Sequence, residues 1–351
     1  MTYGKKVFIV GPGFIGWSVL DELVKENYTI TGLVRRQSYA DQIETSGAET
    51  VLGDLNDKPL LTKYAAAHDI IIHTATADHL PSVEAVLDAI QQRAEQDLHT
   101  IFIHTSGVCV VDDKAKGNHK SDNVYSDSVA SKINSVPNDA PHRQVDLAIL
   151  RAQTQLGEKA KIAIMIPPTI YGLNPKHGRL SAQIPTLIRS ALKHGYSGHV
   201  GTGLNVSSNV HVSDLARGYV ALLHHLESTP ANNPNILKNP YYFYEASEEN
   251  EPSFKDIAVI IGAELHRSKL ISDPNPRAFP PETYGDLFSH FTDAMLGLSS
   301  RCRAVRLRRL GWNPVEKSWK QSLIQDELPF ILNENVDRLA FKGYLGNIPS
   351  S

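Results

Sequence analysis

The chain has only two cysteines, Cys109 and Cys302, among 351 residues, so no disulfide framework holds it together. A reducing compartment, and hence a cytoplasmic location, is the expectation. It also lacks long apolar runs. Met1–Lys6 leads only into Val7–Val10, too short for a signal-peptide core, and no stretch elsewhere reaches the ~20 residues that span a bilayer. Charge of one sign is missing as well: 35 Lys and Arg against 38 Asp and Glu leave −3, which argues against charge-driven binding to nucleic acid or membranes. Fifteen histidines are present, yet there is no His-Glu-x-x-His and no compact His/Cys/carboxylate cluster, so no metal site is expected. Gly-x-Ser-x-Gly is absent too, which removes one hydrolase reading. What remains is the composition of a soluble globular protein, 41% hydrophobic, long enough for about two domains.

Through the first half, apolar runs alternate with segments of helical period, the pattern of a parallel sheet wrapped by helices. Strands are expected at Val7–Val10, Thr29–Val34, Asp69–Thr74, Thr100–Thr105 and Lys161–Ile166. These runs are short and β-branched with few polar alternations, so both faces should be buried. One helix carries Ile15, Val19, Leu20, Leu23 and Val24 on one face, and a second follows Pro81. A third is expected to be capped and opened by Asn138-Asp139-Ala140-Pro141. Residues 112–138 are polar without clear period, a long loop of the kind that is functional or mobile. Beyond about Gly172, Pro and Asn become common. Only a strand at Asn209–Val212 with the helix Asp214–His225, and an Arg-rich helix near Ser299–Leu310, still read as regular.

Gly11-Pro12-Gly13-Phe14-Ile15-Gly16 matches G-x-G-x-x-G between a strand and a helix, the context a phosphate cradle needs. One glycine makes the turn, one lets backbone approach a pyrophosphate, and one packs helix on strand, with the helix N-terminus facing the negative charge. About 20 residues on, an NAD reader would place a carboxylate for the ribose diol. Here Leu33-Val34 are followed by Arg35 and Arg36, which suit a 2′-phosphate, so NADP is the expected cofactor.

With this cradle come Gly53-Asp54-Leu55, Ile72-His73-Thr74-Ala75, His104-Thr105-Ser106-Gly107 and Pro167-Pro168-Thr169-Ile170-Tyr171-Gly172. Asn209-Val210-His211-Val212-Ser213-Asp214 and Leu310-Gly311-Trp312-Asn313-Pro314 follow at matching spacing. Together these resemble the extended short-chain dehydrogenase/reductases, the NAD-dependent epimerase/dehydratase-like superfamily. The resemblance implies an α/β fold: a Rossmann-type doubly wound parallel sheet with a smaller C-terminal substrate lobe. The dinucleotide domain would span 1–172 with 207–229 returning to it, and the lobe 173–206 and 230–351. By position, Gly11, Gly13, Phe14, Ile15 and Gly16 would hold the pyrophosphate, and Asp54 and Leu55 would border the adenine. Thr74 and Ala75 would lie beside the cofactor, with Pro168, Thr169 and Ile170 at the nicotinamide. Ser106 would hydrogen-bond a substrate carbonyl.

The chain departs from the family in having no Tyr-x-x-x-Lys. Counting back from Pro167-Pro168, that pair is replaced by His142 and Asp146, one helical turn apart. Histidine is a fitting proton donor near neutral pH, and the carboxylate is expected to orient its ring. Tyr171 is a second acid candidate. Arg301 and Arg308, in the densest basic run, are candidates to meet an anionic substrate. The leading expectation is therefore an NADP-dependent oxidoreductase acting on a small organic carbonyl or alcohol, with no nucleic-acid or membrane partner and a homodimer left open. Loss of the Tyr-Lys pair keeps alive a non-catalytic dinucleotide-binding regulator. A nucleotide-sugar epimerase or dehydratase is weaker, because that chemistry leans on the missing Tyr.

Overall fold

The structure, a computed structural model, describes residues 5–247 and 251–347. Its centre is a seven-stranded parallel sheet built from β1 (Lys6–Val10), β2 (Thr29–Val34), β3 (Glu49–Leu52), β4 (Ile70–His73), β5 (Thr100–Thr105), β6 (Ala160–Ile166) and β7 (Tyr241–Phe243). The strand order is β7-β6-β5-β4-β1-β2-β3, so the chain reverses direction between β1 and β4. In such sheets that switch point opens a crevice at the carboxyl ends of the strands, where ligands bind.

The continuous apolar runs follow from helices on both faces. Val7 and Ile9 of β1 point into one core with α1 (Phe14–Lys25) and α2 (Gln37–Glu44). Phe8 and Val10 point into the other, with α3 (Lys58–Ala66), α4 (Leu80–Glu95) and α5 (Arg143–Leu156). All four of these β1 side chains are fully buried, and at ~25 cal/mol per Å² of apolar surface such strands anchor the sheet. A further core joins α6 (Gln183–His194) and α8 (Phe254–Arg267) to the segment around Trp319–Leu328. Between them in the chain, α7 (Val212–Ser228) puts Leu215, Tyr219, Leu222 and Leu226 into the same core as α1.

Four sequence expectations need correction. The lobe expected at 230–351 is interrupted, because Tyr241–Phe243 pairs with β6 as an edge strand of the central sheet. Leu307 and Trp312 likewise sit in the α1/α7 core. The Arg-rich helix is shorter than expected: Arg301–Arg303 is a strand, and helix forms only at Val305–Arg309. That strand pairs with Val124–Ser126, so the supposed loop 112–138 holds a strand and a short helix, Ala130–Asn134. Both pairings join segments far apart in the chain, which local period cannot reveal. Finally, α5 begins at Arg143 rather than at Asn138–Pro141, and its N-cap is His142.

Candidate active site

The glycine turn follows β1 directly. Gly11 has φ +84°, a left-handed conformation open to glycine at little cost, and a Cβ there would run into Ala75. Gly16 sits inside α1 where a Cβ would collide with Thr74 Oγ1 and the Gly11 carbonyl. Thr74 Oγ1 also donates to that carbonyl at 2.8 Å, so the ends of β1 and β4 are locked together. Gly13 differs. A Cβ on it would come no closer than 3.9 Å to the surrounding atoms, so the space beside it is open. It is the N-cap of α1 without a side-chain cap, and the first turn carries no acidic residue. Free helix N–H groups beside an open glycine are what a pyrophosphate requires, and these residues fit one.

At the end of β2, Arg35 and Arg36 are exposed, and Arg36 is the N-cap of α2. The Gly53 N–H donates to the Val34 carbonyl at 3.0 Å, which sets Asp54 and Leu55 one strand away. Asp54 Oδ1 accepts from the Asn56 N–H at 2.6 Å. A third cation joins from a distant hairpin that sequence reasoning passed over. The pair Leu173–Asn174 and Arg179–Leu180 lies on α1, with Asn174 donating to Ser18 Oγ at 2.9 Å and His177 stacked on Trp17 at 3.6 Å. Arg179 thereby lies 4.6 Å from the Tyr39 ring centre, and the Tyr39 hydroxyl donates to the Pro12 carbonyl of the glycine turn. No local pattern marks Arg179; only the hairpin's docking brings it there.

The second half of the crevice lies at the ends of β5 and β6. The Ser106 N–H donates to the Met165 carbonyl at 2.8 Å and the Val108 N–H to that of Pro167 at 3.0 Å, so Ser106 is pinned beside Pro168, Thr169 and Ile170. Its hydroxyl meets Asp146 Oδ2 at 3.1 Å. Asp146 is wholly buried and its Oδ1 has no hydrogen-bond partner. Burial pushes its carboxyl up to about 6, against the opposing effects of Ser106, His142 and Arg143.

Asp146 does not hold His142. The ring's Nδ1 bonds instead to Asp78 Oδ1 at 2.7 Å, a carboxylate in the loop after β4. The turn explains the change: His142 has φ 65°, which costs a non-glycine residue about 1 kcal/mol or more and swings its side chain off the helix face that Asp146 occupies. Burial disfavours charge on the ring, but the hydrogen bond to Asp78 helps outweigh it and the pKa is raised above the usual 6.5. Its Nε2 edge packs on Gly107, where a Cβ would lie 2.9 Å away.

Tyr171 is not placed to act as an acid. It is 1% exposed, its hydroxyl donates to the Lys317 carbonyl at 2.9 Å, and burial raises its pKa well above the ordinary phenol range. The arginines near residue 305 are also committed: Arg301 pairs with Glu251 at 2.7 Å and Arg308 with Glu245 at 3.0 Å.

Similarity to known proteins agrees with this geometry. The model of the NAD dependent epimerase/dehydratase family matches residues 7–236. The chain belongs to this family. Membership of this family supports an NAD(P)-dependent oxidoreductase. The protein called oxidase ucsJ of Acremonium sp is 27% identical over 332 residues, 89% of this chain and 93% of its own. Among solved structures, the UDP-glucose 4-epimerase of Thermotoga maritima has a TM-score of 0.63 at 14% identity, covering 93% of this chain and 98% of that one. Yeast methylglyoxal/isovaleraldehyde reductase Gre2, solved with NADPH, has a TM-score of 0.59 at 15% identity, covering 93% and 98%. At such identity the two structures establish the fold.

Proposed function

We propose that this family member is an NADP-dependent reductase of small organic aldehydes or ketones, with His142 as proton donor. The observation that carries the reading is the juxtaposition at the family's Tyr-Lys place: a histidine held by Asp78 at 2.7 Å, beside a serine pinned to the end of β6. When bound, the dinucleotide supplies a hydride to the carbonyl carbon, or accepts one in the reverse direction. Gly11, Gly13, Phe14, Ile15 and Gly16 would hold its pyrophosphate. Asp54 and Leu55 would flank the adenine, Thr74 and Ala75 the middle, and Pro168, Thr169 and Ile170 the nicotinamide. Arg35, Arg36 and Arg179 supply guanidiniums for a 2′-phosphate, and this supports NADP over NAD.

The chain's own acid–base work is divided between two groups. Ser106 has one hydroxyl hydrogen, and an ionised Asp146 would claim it. With Asp146 neutral, the carboxylic acid donates to Ser106 Oγ and the serine proton is free for the substrate oxygen. His142 then delivers a proton from Nε2 to the developing alkoxide, while Asp78 steadies the imidazolium through Nδ1. Asp78 is largely exposed, which gives the ring a route for reprotonation from water. The two unpaired cysteines suit a reducing cytoplasm.

The test is NADPH consumption over a panel of aldehydes and ketones, with His142→Asn beside the wild type. Turnover of at least one substrate is expected, with kcat falling about 10²–10⁴-fold in the variant and NADPH affinity unchanged. Dinucleotide binding without turnover across the panel would favour a regulator instead.

A further inference from the structure

The hairpin that carries Arg179 takes no part in the acid–base work of the crevice. Its strands, Leu173–Asn174 and Arg179–Leu180, share only two antiparallel pairs, too few for a hairpin to keep its shape alone. Docking on α1 holds it, and the contacts there are polar or stacked. Asn174 donates to Ser18 Oγ at 2.9 Å. One carboxylate, that of Asp21, takes the tip: Oδ2 accepts from His177 Nε2 at 2.6 Å and Oδ1 from Lys176 Nζ at 2.5 Å. The His177 ring, stacked on Trp17, is only 5% exposed and Asp21 only 10%, so this is a fitted contact rather than a surface ion pair.

Both flanks of the hairpin are fixed elsewhere. Before it, Thr169–Tyr171 pairs in parallel with Asn209–His211. After it, Ser181 Oγ donates to Glu327 Oε1 at 3.1 Å. Gly172, between strand and hairpin, has φ +103°, which lets the chain turn out of the strand. The segment leaving Ile170 thereby crosses to α1 and brings Arg179 to Tyr39. The guanidinium lies 4.6 Å from that ring centre and 5.3 Å from that of Trp17, and among the described residues no carboxylate pairs with it. The Tyr39 hydroxyl bonds the Pro12 carbonyl of the glycine turn, and its N–H donates to the Arg36 carbonyl at 3.1 Å. One continuous stretch, 168–179, runs from the end of the crevice proposed for the nicotinamide to the glycine turn.

We propose that this hairpin is a strap closed over the bound dinucleotide, with His177 and Asp21 as positioning residues that latch it and set Arg179 at the adenosine phosphate. The proposal rests on the dinucleotide reading of the crevice. A ligand reached at both ends by one stretch of chain leaves only when that stretch lifts, so the latch governs exchange of the dinucleotide. Polar contacts suit repeated opening, because the carboxylate and its two partners regain water as the hairpin leaves α1. The fixed flanks at Tyr171 and Ser181 confine the movement to the residues between them, with Gly172 to absorb the change. Arg179 moves with the hairpin, and its guanidinium meets a phosphate only in the closed position.

The test is release of NADPH and of NADH from the full chain, followed by stopped-flow nicotinamide fluorescence. His177→Ala, which removes both stack and bond, should speed release of both dinucleotides at least tenfold. Asp21→Asn should speed it severalfold, and His177→Phe, which keeps the stack alone, should fall between wild type and His177→Ala. Arg179→Ala should speed release of NADPH only, because the latch stays closed and just the phosphate contact is lost. Trypsin reads closure independently: saturating NADPH should slow cleavage after Lys176 and Arg179 at least tenfold in wild type and far less in His177→Ala. If wild type binds the two dinucleotides equally, the NADP assignment fails, and faster NADH release from the latch variants still supports the strap. If His177→Ala does not fold, Asp21→Asn and His177→Phe decide. Wild-type release rates in the folded latch variants, cleavage indifferent to dinucleotide, or no binding of either dinucleotide would overturn the proposal.

Discussion

Asp146→Asn isolates the electrostatics of the crevice. Asp146 is buried, and its folded-state pKa is about 6 against 3.8 for an unperturbed carboxyl. A raised carboxyl pKa means that the native state binds the proton more tightly than the unfolded chain does. Its contribution is therefore most favourable at low pH and is lost as pH rises from 3.8 towards 6. At about 1.4 kcal/mol per pKa unit, the whole loss is about 3 kcal/mol, of which about 1.5 kcal/mol falls between pH 5 and pH 8. Asparagine is neutral throughout and retains a partner for Ser106. An unpaired amide N–H at the orphaned Oδ1 position would cost about 1–3 kcal/mol, but equally at every pH. The pH dependence thus survives whatever that constant offset is. Urea unfolding of both proteins at pH 5, 6, 7 and 8 should show the stability of the variant, relative to wild type, growing by about 1.5 kcal/mol over the range. The same substitution should extend carbonyl reduction to higher pH, since Ser106 no longer faces an ionised partner. A stability difference independent of pH, or one moving in favour of wild type as pH rises, would refute the reasoning.

The glycine turn separates fold from ligand. Gly13→Ala should fold as stably as wild type yet lose NADPH affinity tenfold or more by calorimetry, because its Cβ meets only the ligand's space. Gly16→Ala should lower stability by about 1–3 kcal/mol through collision with Thr74 and the Gly11 carbonyl. Wild-type NADPH binding by the Gly13 variant would remove the cradle. Alanine at Arg35, Arg36 or Arg179 should weaken NADPH by about 1.5–3 kcal/mol each and leave NADH nearly unchanged; equal affinity of wild type for the two dinucleotides would refute the NADP assignment. Tyr171→Phe should keep kcat and lose about 1 kcal/mol of stability by denaturant titration, since it removes only a bond to the Lys317 carbonyl. A hundredfold fall in kcat would restore Tyr171 as an acid.

Much of the molecule follows from local patterns that survive any tertiary context. A four-residue apolar run buried on both faces, as at Val7–Val10, has few stable settings other than a covered parallel strand. A left-handed Gly11 followed by a helix opening fixes the turn by backbone sterics alone. For these reasons the sheet, its cradle and the placing of Ser106 at the end of β5 are legible from the residues in order. The partnerships in the crevice are not. His142 and Asp146 are spaced for one helix face, yet a left-handed residue at the helix start sends His142 to Asp78, 64 residues earlier, and leaves Asp146 to Ser106. Tyr171 lies just after the strand expected at Lys161–Ile166, but its hydroxyl is taken by a carbonyl 146 residues later. Arg179 reaches Tyr39, whose hydroxyl bonds the glycine turn, and Arg301–Arg303 becomes a strand, only because distant segments dock. Sequence spacing set which residues share a strand or a helix. The side chains that hydrogen-bond across the crevice were decided by packing, because a buried polar group takes the partner that the folded chain brings within about 3 Å, wherever that partner lies in the sequence.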